Sequence, residues 1–199
     1  MYQYALPILN ERAGTGNPFF SVLLSISNHP PYVIPPYFHP HSDVLEEQIV
    51  EYADWSIRQF MQAAEKQPWF DNTIFVFLGD HGKMVGTPEC EMPQSYNHIP
   101  LMIYGKDIKP GVYDGFGGQV DVSPTLLGLL NISYLQNNFG VNLLEEERPC
   151  MFFTADNLIG ARDSVNMFIY SPDSQQEFKY KLEEGKLHAA TGTDEEAFR

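Results

Sequence analysis

A single α/β domain built on a mostly parallel central sheet is the fold class this sequence predicts, and three observations predict it. Residues 19–26 and 73–78 are near-continuous apolar runs of strand length, the pattern of strands buried on both faces. Between them, residues 45–66 carry Leu45, Ile49, Tyr52, Ile57, Phe60 and Ala64 at helical spacing. Strand, helix and strand in that order make a βαβ unit, which implies parallel pairing. Beyond Met151 the pattern changes to alternation over 151–154, 166–170, 177–182 and 186–190, which predicts antiparallel hairpins.

The other elements follow in chain order. Residues 5–16 read as a short helix running into the turn Gly14-Thr15-Gly16-Asn17-Pro18. The run at 19–26 ends before Pro30-Pro31, where two ladder donors are missing, and 32–42 continues as a loop rich in proline and histidine. Acidic residues open the 45–66 helix and Lys66 closes it, the order the helix dipole favours; Asp54 lies on this helix as a structural residue. Residues 83–97 have no periodicity and read as loop, and 99–104 are a third short apolar strand. Ser123 as N-cap and Pro124 at the first helical position predict a helix over 125–130, with Asp121 just before it suiting the positive dipole end. The tail over 193–199 is expected to fray.

At 199 residues the chain is long enough for one domain with a real core. Twelve basic against 26 acidic residues leave a charge of −14, a surface that repels nucleic acid and anionic headgroups and so excludes both as general partners. An anionic substrate would need local positive charge, which a bound divalent cation supplies. No apolar run reaches the roughly 18 residues that suggest a membrane span, and Met1-Tyr2-Gln3 does not open a signal peptide. Cys90 and Cys150 can pair or stay free.

Gly79-Asp80-His81-Gly82 closes the 73–78 run. In open α/β sheets ligands bind at the carboxyl ends of strands. A carboxylate and an imidazole side by side there, between glycines that allow a tight turn, form a compact two-ligand metal corner. The alternative is a capped turn in which Asp80 binds nearby amides and His81 fills space. His29, on the loop after a strand, is suited to donating to a phosphate oxygen or passing a proton, or is a solvated loop residue. His98 lies just before the third strand and either touches substrate or caps that strand. His39 and His41, among prolines and without a third ligand, read as solvated loop.

Several segments taken together resemble the C-terminal half of the sulfatase-type domain of the alkaline phosphatase superfamily, and among its members the lipoteichoic acid synthase-like phosphoglycerol transferases. They are Asn17-Pro18-Phe19-Phe20, Asn28-His29-Pro30-Pro31, Tyr52-Ala53-Asp54, the 72–82 stretch through Gly79-Asp80-His81-Gly82, His98-Ile99-Pro100-Leu101, and Gln119-Val120-Asp121 through Ser123-Pro124-Thr125-Leu126-Leu127. The likeness covers residues 17–145 in order, with 150–192 as C-terminal hairpins and the whole of 1–199 as the C-terminal portion of one domain. It implies a partial alkaline-phosphatase-like three-layer sandwich in which Asp80 and His81 hold one divalent metal. Manganese is the first expectation, with magnesium, zinc or calcium as alternatives. His29 and His98 would contact the substrate, a phospholipid- or glycan-linked ester. The parent enzyme is expected to be membrane-anchored and to act on the outer side of a bacterial membrane.

The same resemblance requires a nucleophile and an earlier acidic ligand, and these are expected in an N-terminal half lying upstream of this chain. Cys90 does not supply the nucleophile, because a formylglycine-type site reads Cys-x-Pro-x-Arg and here the order is Cys90-Glu91-Met92-Pro93-Gln94. The chain alone is therefore expected to be inactive, and to expose apolar surface where further strands would pair. A sulfuric ester hydrolase and a non-catalytic binding domain of the same fold are the alternative readings.

Overall fold

A computed structural model describes residues 1–26, 28–191 and 198. The tail expected to fray falls almost wholly outside the described residues. Residues 1–76 with 103–108 form one compact unit, and 77–102 with the chain from 109 onward form a second.

In the first unit, α1 (Tyr2–Gly14) packs on α2 (Leu45–Ala64). Ala5 and Leu9 from α1 and Ile49, Phe60 and Ala64 from α2 are buried, and the Tyr2 and Phe60 rings meet at 5.3 Å. The helical period expected over 45–66 thus picks out Ile49, Phe60 and Ala64 on the buried face, whereas Leu45 at the helix start is exposed. A 3-10 turn (Phe70–Asn72) leads into β1 (Phe75–Leu78). The Phe75 ring lies against Phe60, Trp69, Phe70 and Tyr104, an aromatic cluster that ties the start of β1 to the helix pair.

β1 pairs with β2 (Leu101–Tyr104). The Gly79 amide donates to the Pro100 carbonyl at 3.3 Å beyond one end, and the Thr73 carbonyl lies beside Gly105 at the other, so the two strands run antiparallel. The expected parallel partner over 19–26 forms no ladder among the described residues, and Phe20 and Ile26 are 87% and 79% exposed. A near-continuous apolar run is buried on both faces only when neighbours pair along its edges and layers cover it. For the same reason Phe75, Val76 and Phe77 are half-buried rather than fully enclosed.

The second unit contains a five-stranded meander, β3 (Met151–Ala155), β4 (Leu158–Arg162), β5 (Asn166–Ser171), β6 (Gln176–Glu183) and β7 (Lys186–Ala189), antiparallel throughout in sequential order. Sequence alternation identifies four of these strands and misses β4, where Gly160 interrupts the pattern. A side chain at Gly160 would sit 2.5 Å from the Phe153 ring, so the glycine is what lets that ring lie across the sheet. The two-residue turns Asp156-Asn157 and Glu184-Gly185 have positive φ at both positions, as twist-matched hairpins demand. Met167 and Ile169 on the central strand β5 are fully buried, and Cys90 and Met92 from the 83–97 loop pack on them. Tyr180 donates to the Glu91 carboxylate at 2.5 Å, and Arg162 donates to the Gln94 side chain, so the sheet holds this loop in place. The loop ends in a single turn, α3 (Gln94–Asn97). Both cysteines are free.

Helix α4 (Gln119–Leu129) starts five residues before Pro124, the first helical position that Ser123-Pro124 suggests. Pro124 lies inside it, and the carbonyl it leaves without a helical donor, that of Val120, faces Gly140, where a side chain would come within 2.1 Å. The true N-terminus is set by Asp121, whose carboxylate accepts the Gly118 amide at 2.8 Å. Asp121 is completely buried. It also accepts the Val141 amide at 2.8 Å and the Arg148 guanidinium at 2.9 and 2.5 Å. Burial pushes its carboxyl up, but Arg148 and the two amides outweigh that and hold it below the ordinary value of 3.8.

Removing one partner of such a pair strands a buried charge. Arg148→Met should lower unfolding free energy by about 3–5 kcal/mol in urea titrations. Because the folded Asp121 value is depressed, its contribution is complete above about pH 4 and is lost as the pH falls through the folded value. Wild type should therefore lose stability in that acid window by a margin that Asp121→Asn does not show.

Candidate metal centre

The chain leaves β1 at Gly79, and Asp80 and His81 follow on exposed backbone between two anchored glycines. Gly79 is tied to Pro100 as described, and the Gly82 amide donates to the Tyr96 carbonyl at 2.8 Å. A side chain at Gly82 would meet the Ser95 carbonyl at 2.1 Å, so only glycine allows the two loops to close on each other here. On the opposite flank the Gln119 amide group donates to the carbonyls of Gly79 and Asp80.

Within this frame the two side chains are oriented by their own hydrogen bonds. Asp80 Oδ1 accepts the His81 amide at 3.0 Å, which leaves Oδ2 free. His81 Nδ1 donates to the Gly82 carbonyl at 2.7 Å. A carbonyl can only accept, so Nδ1 carries the proton and Nε2 keeps its lone pair, the tautomer a metal-ligating imidazole needs. The Tyr96 ring stacks on the imidazole, with centroids 5.3 Å apart and planes 23° from parallel. Asp80 Oδ2 and His81 Nε2 are 3.9 Å apart, with side chains 78% and 56% exposed. That span is within reach of one ion bonded to each at roughly 2.1 Å.

The donor set thus fits a divalent cation, as two of the ligands a centre requires. Among the described residues no group of three or more His, Cys, Asp or Glu side chains converges to complete one. Carboxylate oxygen plus imidazole suits manganese, magnesium or zinc.

The remaining candidates separate clearly. His98 caps α3 through its own amide, which donates to the Gln94 carbonyl at 2.8 Å, and its side chain is exposed. It lies between Tyr96 and Pro100, whose carbonyls hold Gly82 and Gly79. His29 belongs to the first unit, where its Nδ1 donates to the Pro30 carbonyl at 2.9 Å and leaves Nε2 as a base on an exposed loop. His41 is bound to Glu51. Asp54 pairs with Arg58 one turn along α2 at an exposed surface. Cys90 is buried and donates to the Met92 carbonyl. Burial, reinforced by the charges of Glu89 and Glu91, pushes its thiol up, a packing residue rather than a nucleophile. Sequence reasoning missed Tyr96, Gln119 and Arg148, since no local pattern announces that they meet the corner or its support.

The fold as a whole is of the alkaline-phosphatase-like α/β class. A protein of the alkaline phosphatase superfamily from Vibrio parahaemolyticus matches 99% of this chain with a TM-score of 0.86 at 25% identity, the chain covering 50% of it. A 2-O GAG sulfatase shares the fold over 77% of the chain, with a TM-score of 0.61 at 16% identity. The Sulfatase family profile matches residues 1–132, and the chain belongs to that family. Lipoteichoic acid synthase 1 of Bacillus subtilis is 25% identical over 202 residues, covering 85% of this chain and 30% of the synthase. The choline-sulfatase of Rhizobium meliloti is 29% identical over 121 residues, covering 54% of this chain and 22% of the sulfatase. The chain thus spans a third or less of the length of these curated relatives. No helix among the described residues is long and apolar enough to cross a membrane.

The close approach at Gly82 is directly testable. Gly82→Ala forces the Ser95 carbonyl away and should cost about 1–3 kcal/mol, read as a shift in the urea midpoint at unchanged slope.

Proposed function

We propose that this chain contributes the Asp80–His81 side of a divalent-metal centre to an enzyme that transfers or hydrolyses phosphate esters. The specific reading is a phosphoglycerol-type transferase acting on the outer side of a bacterial membrane, with manganese as the metal. The observation that carries it is the paired orientation of Asp80 Oδ2 and His81 Nε2, each freed by a hydrogen bond on its other atom. The similarity to lipoteichoic acid synthases supports the transferase reading. Similarity to a choline-sulfatase supports a second reading, a sulfuric ester hydrolase.

Asp80 and His81 would hold the cation, and the Gly82 carbonyl keeps the imidazole in its ligating tautomer. When bound, the cation neutralises charge developing on the ester oxygens and lowers the pKa of a nucleophilic hydroxyl. His29 Nε2, unprotonated in the neutral ring, can accept a proton from an attacking or departing oxygen. His98 would contact the ester group. The attacking hydroxyl is assigned to no residue of this chain.

The test is turnover by the full-length protein on a phosphodiester lipid analogue and on an aryl sulfate, with manganese added and removed. Metal-dependent release from the phosphodiester is expected, and release from the sulfate alone would replace the transferase by the sulfatase. Asp80→Ala should lower metal-dependent turnover by roughly 10²-fold or more, and undiminished turnover would overturn the metal role.

A further inference from the structure

We propose that Gln119 is a positioning residue for the metal corner, its side-chain amide fixing the backbone turn from which Asp80 and His81 project. The proposal rests on the metal-centre reading above. Gln119 Nε2 donates to the Gly79 carbonyl at 3.1 Å and to the Asp80 carbonyl at 2.8 Å. Along a strand, pleating turns successive carbonyls to opposite edges, so two in a row converging on one nitrogen mark the point where the chain leaves β1. Convergent carbonyl dipoles repel each other unless a cation or a doubly protonated donor sits between them. A side-chain NH2 group is such a donor, offering one proton to each.

The amide is delivered from a fixed position. Gln119 is the first residue of α4, and Asp121 two residues on is buried and bonded to Gly118, Val141 and Arg148. The corner's other anchors, Gly79 to Pro100 and Gly82 to Tyr96, run through backbone atoms alone. Gln119 is the side chain that holds the carbonyls of Gly79 and Asp80, and the Asp80 carbonyl belongs to the peptide that joins the two donors. If that peptide rotates, Oδ2 and Nε2 no longer face one point. Partners that orient ligands in this way characteristically change metal affinity by 10–100-fold when removed.

The experiment uses the full-length protein and free manganese ion, titrated by electron paramagnetic resonance, on wild type, Asp80→Ala, Gln119→Met and Gln119→Leu. Hydrogen exchange of residues 79–82 is followed in the same proteins without metal. Gln119 is exposed, and methionine matches its length without its donors, so folding should be kept. Gln119→Met and Gln119→Leu should each raise the manganese Kd roughly 10–100-fold and speed exchange at 79–82, with α4 protected as in wild type. A wild-type Kd in both variants overturns the proposal. A raised Kd with faster exchange along the whole of α4 also overturns it, since general loosening would then be the cause. If Asp80→Ala loses manganese while the Gln119 variants keep it, only the role of Gln119 fails. If Asp80→Ala binds manganese like wild type, the metal-centre reading fails and takes this one with it.

Discussion

The ionised Asp121 carboxylate, sealed from water and shared between Arg148 and two backbone amides, is the interaction on which the site's architecture depends. A buried charge is costly unless every lone pair is engaged, and here both oxygens are. The same atoms do two jobs: they satisfy the first turn of α4 and bind it to the 139–148 segment, where Arg148 also donates to the Phe139 carbonyl at 2.7 Å. That arrangement fixes where α4 begins. It therefore fixes where Gln119 stands, and through Gln119 the backbone behind Asp80.

A second line of support comes from the C-terminal meander. Met167 and Ile169 bury Cys90 and Met92, which holds the loop whose far end presents the Tyr96 carbonyl to Gly82 and the Tyr96 ring to His81. The sheet thus constrains the Asp80–His81 corner through 83–97. The corner itself is exposed, with the Asp80 and His81 side chains both open to solvent.

The relatives include both lipoteichoic acid synthases and a choline-sulfatase. On the proposed reading, an Asp–His pair holding a cation would suit a phosphate or a sulfate ester alike, because the cation would supply charge rather than recognition of the central atom. The discriminating group is the nucleophile. Cys90, the residue a sulfatase reading would inspect first, is buried and protonated against Met92.

Sequence by itself determined whatever depends on neighbours a few positions away. The period of α2, the alternation of four of the five meander strands, and the turn of Gly79-Asp80-His81-Gly82 just past the end of β1 were legible, because side-chain period and the breaks that end a strand are local properties. Tertiary structure decided what depends on distant partners. Residues 19–26 have the composition of a central strand, but a strand forms only against a partner, and they join no ladder among the described residues. Gly160 hid β4 because its meaning lies in the Phe153 ring across the hairpin. Ser123-Pro124 imitates a helix start, and the real one needs Arg148, 27 residues beyond Asp121. Gln119 meets the Gly79 carbonyl across 40 residues, a contact no local pattern encodes, because it is made only when helix and strand end are both in place.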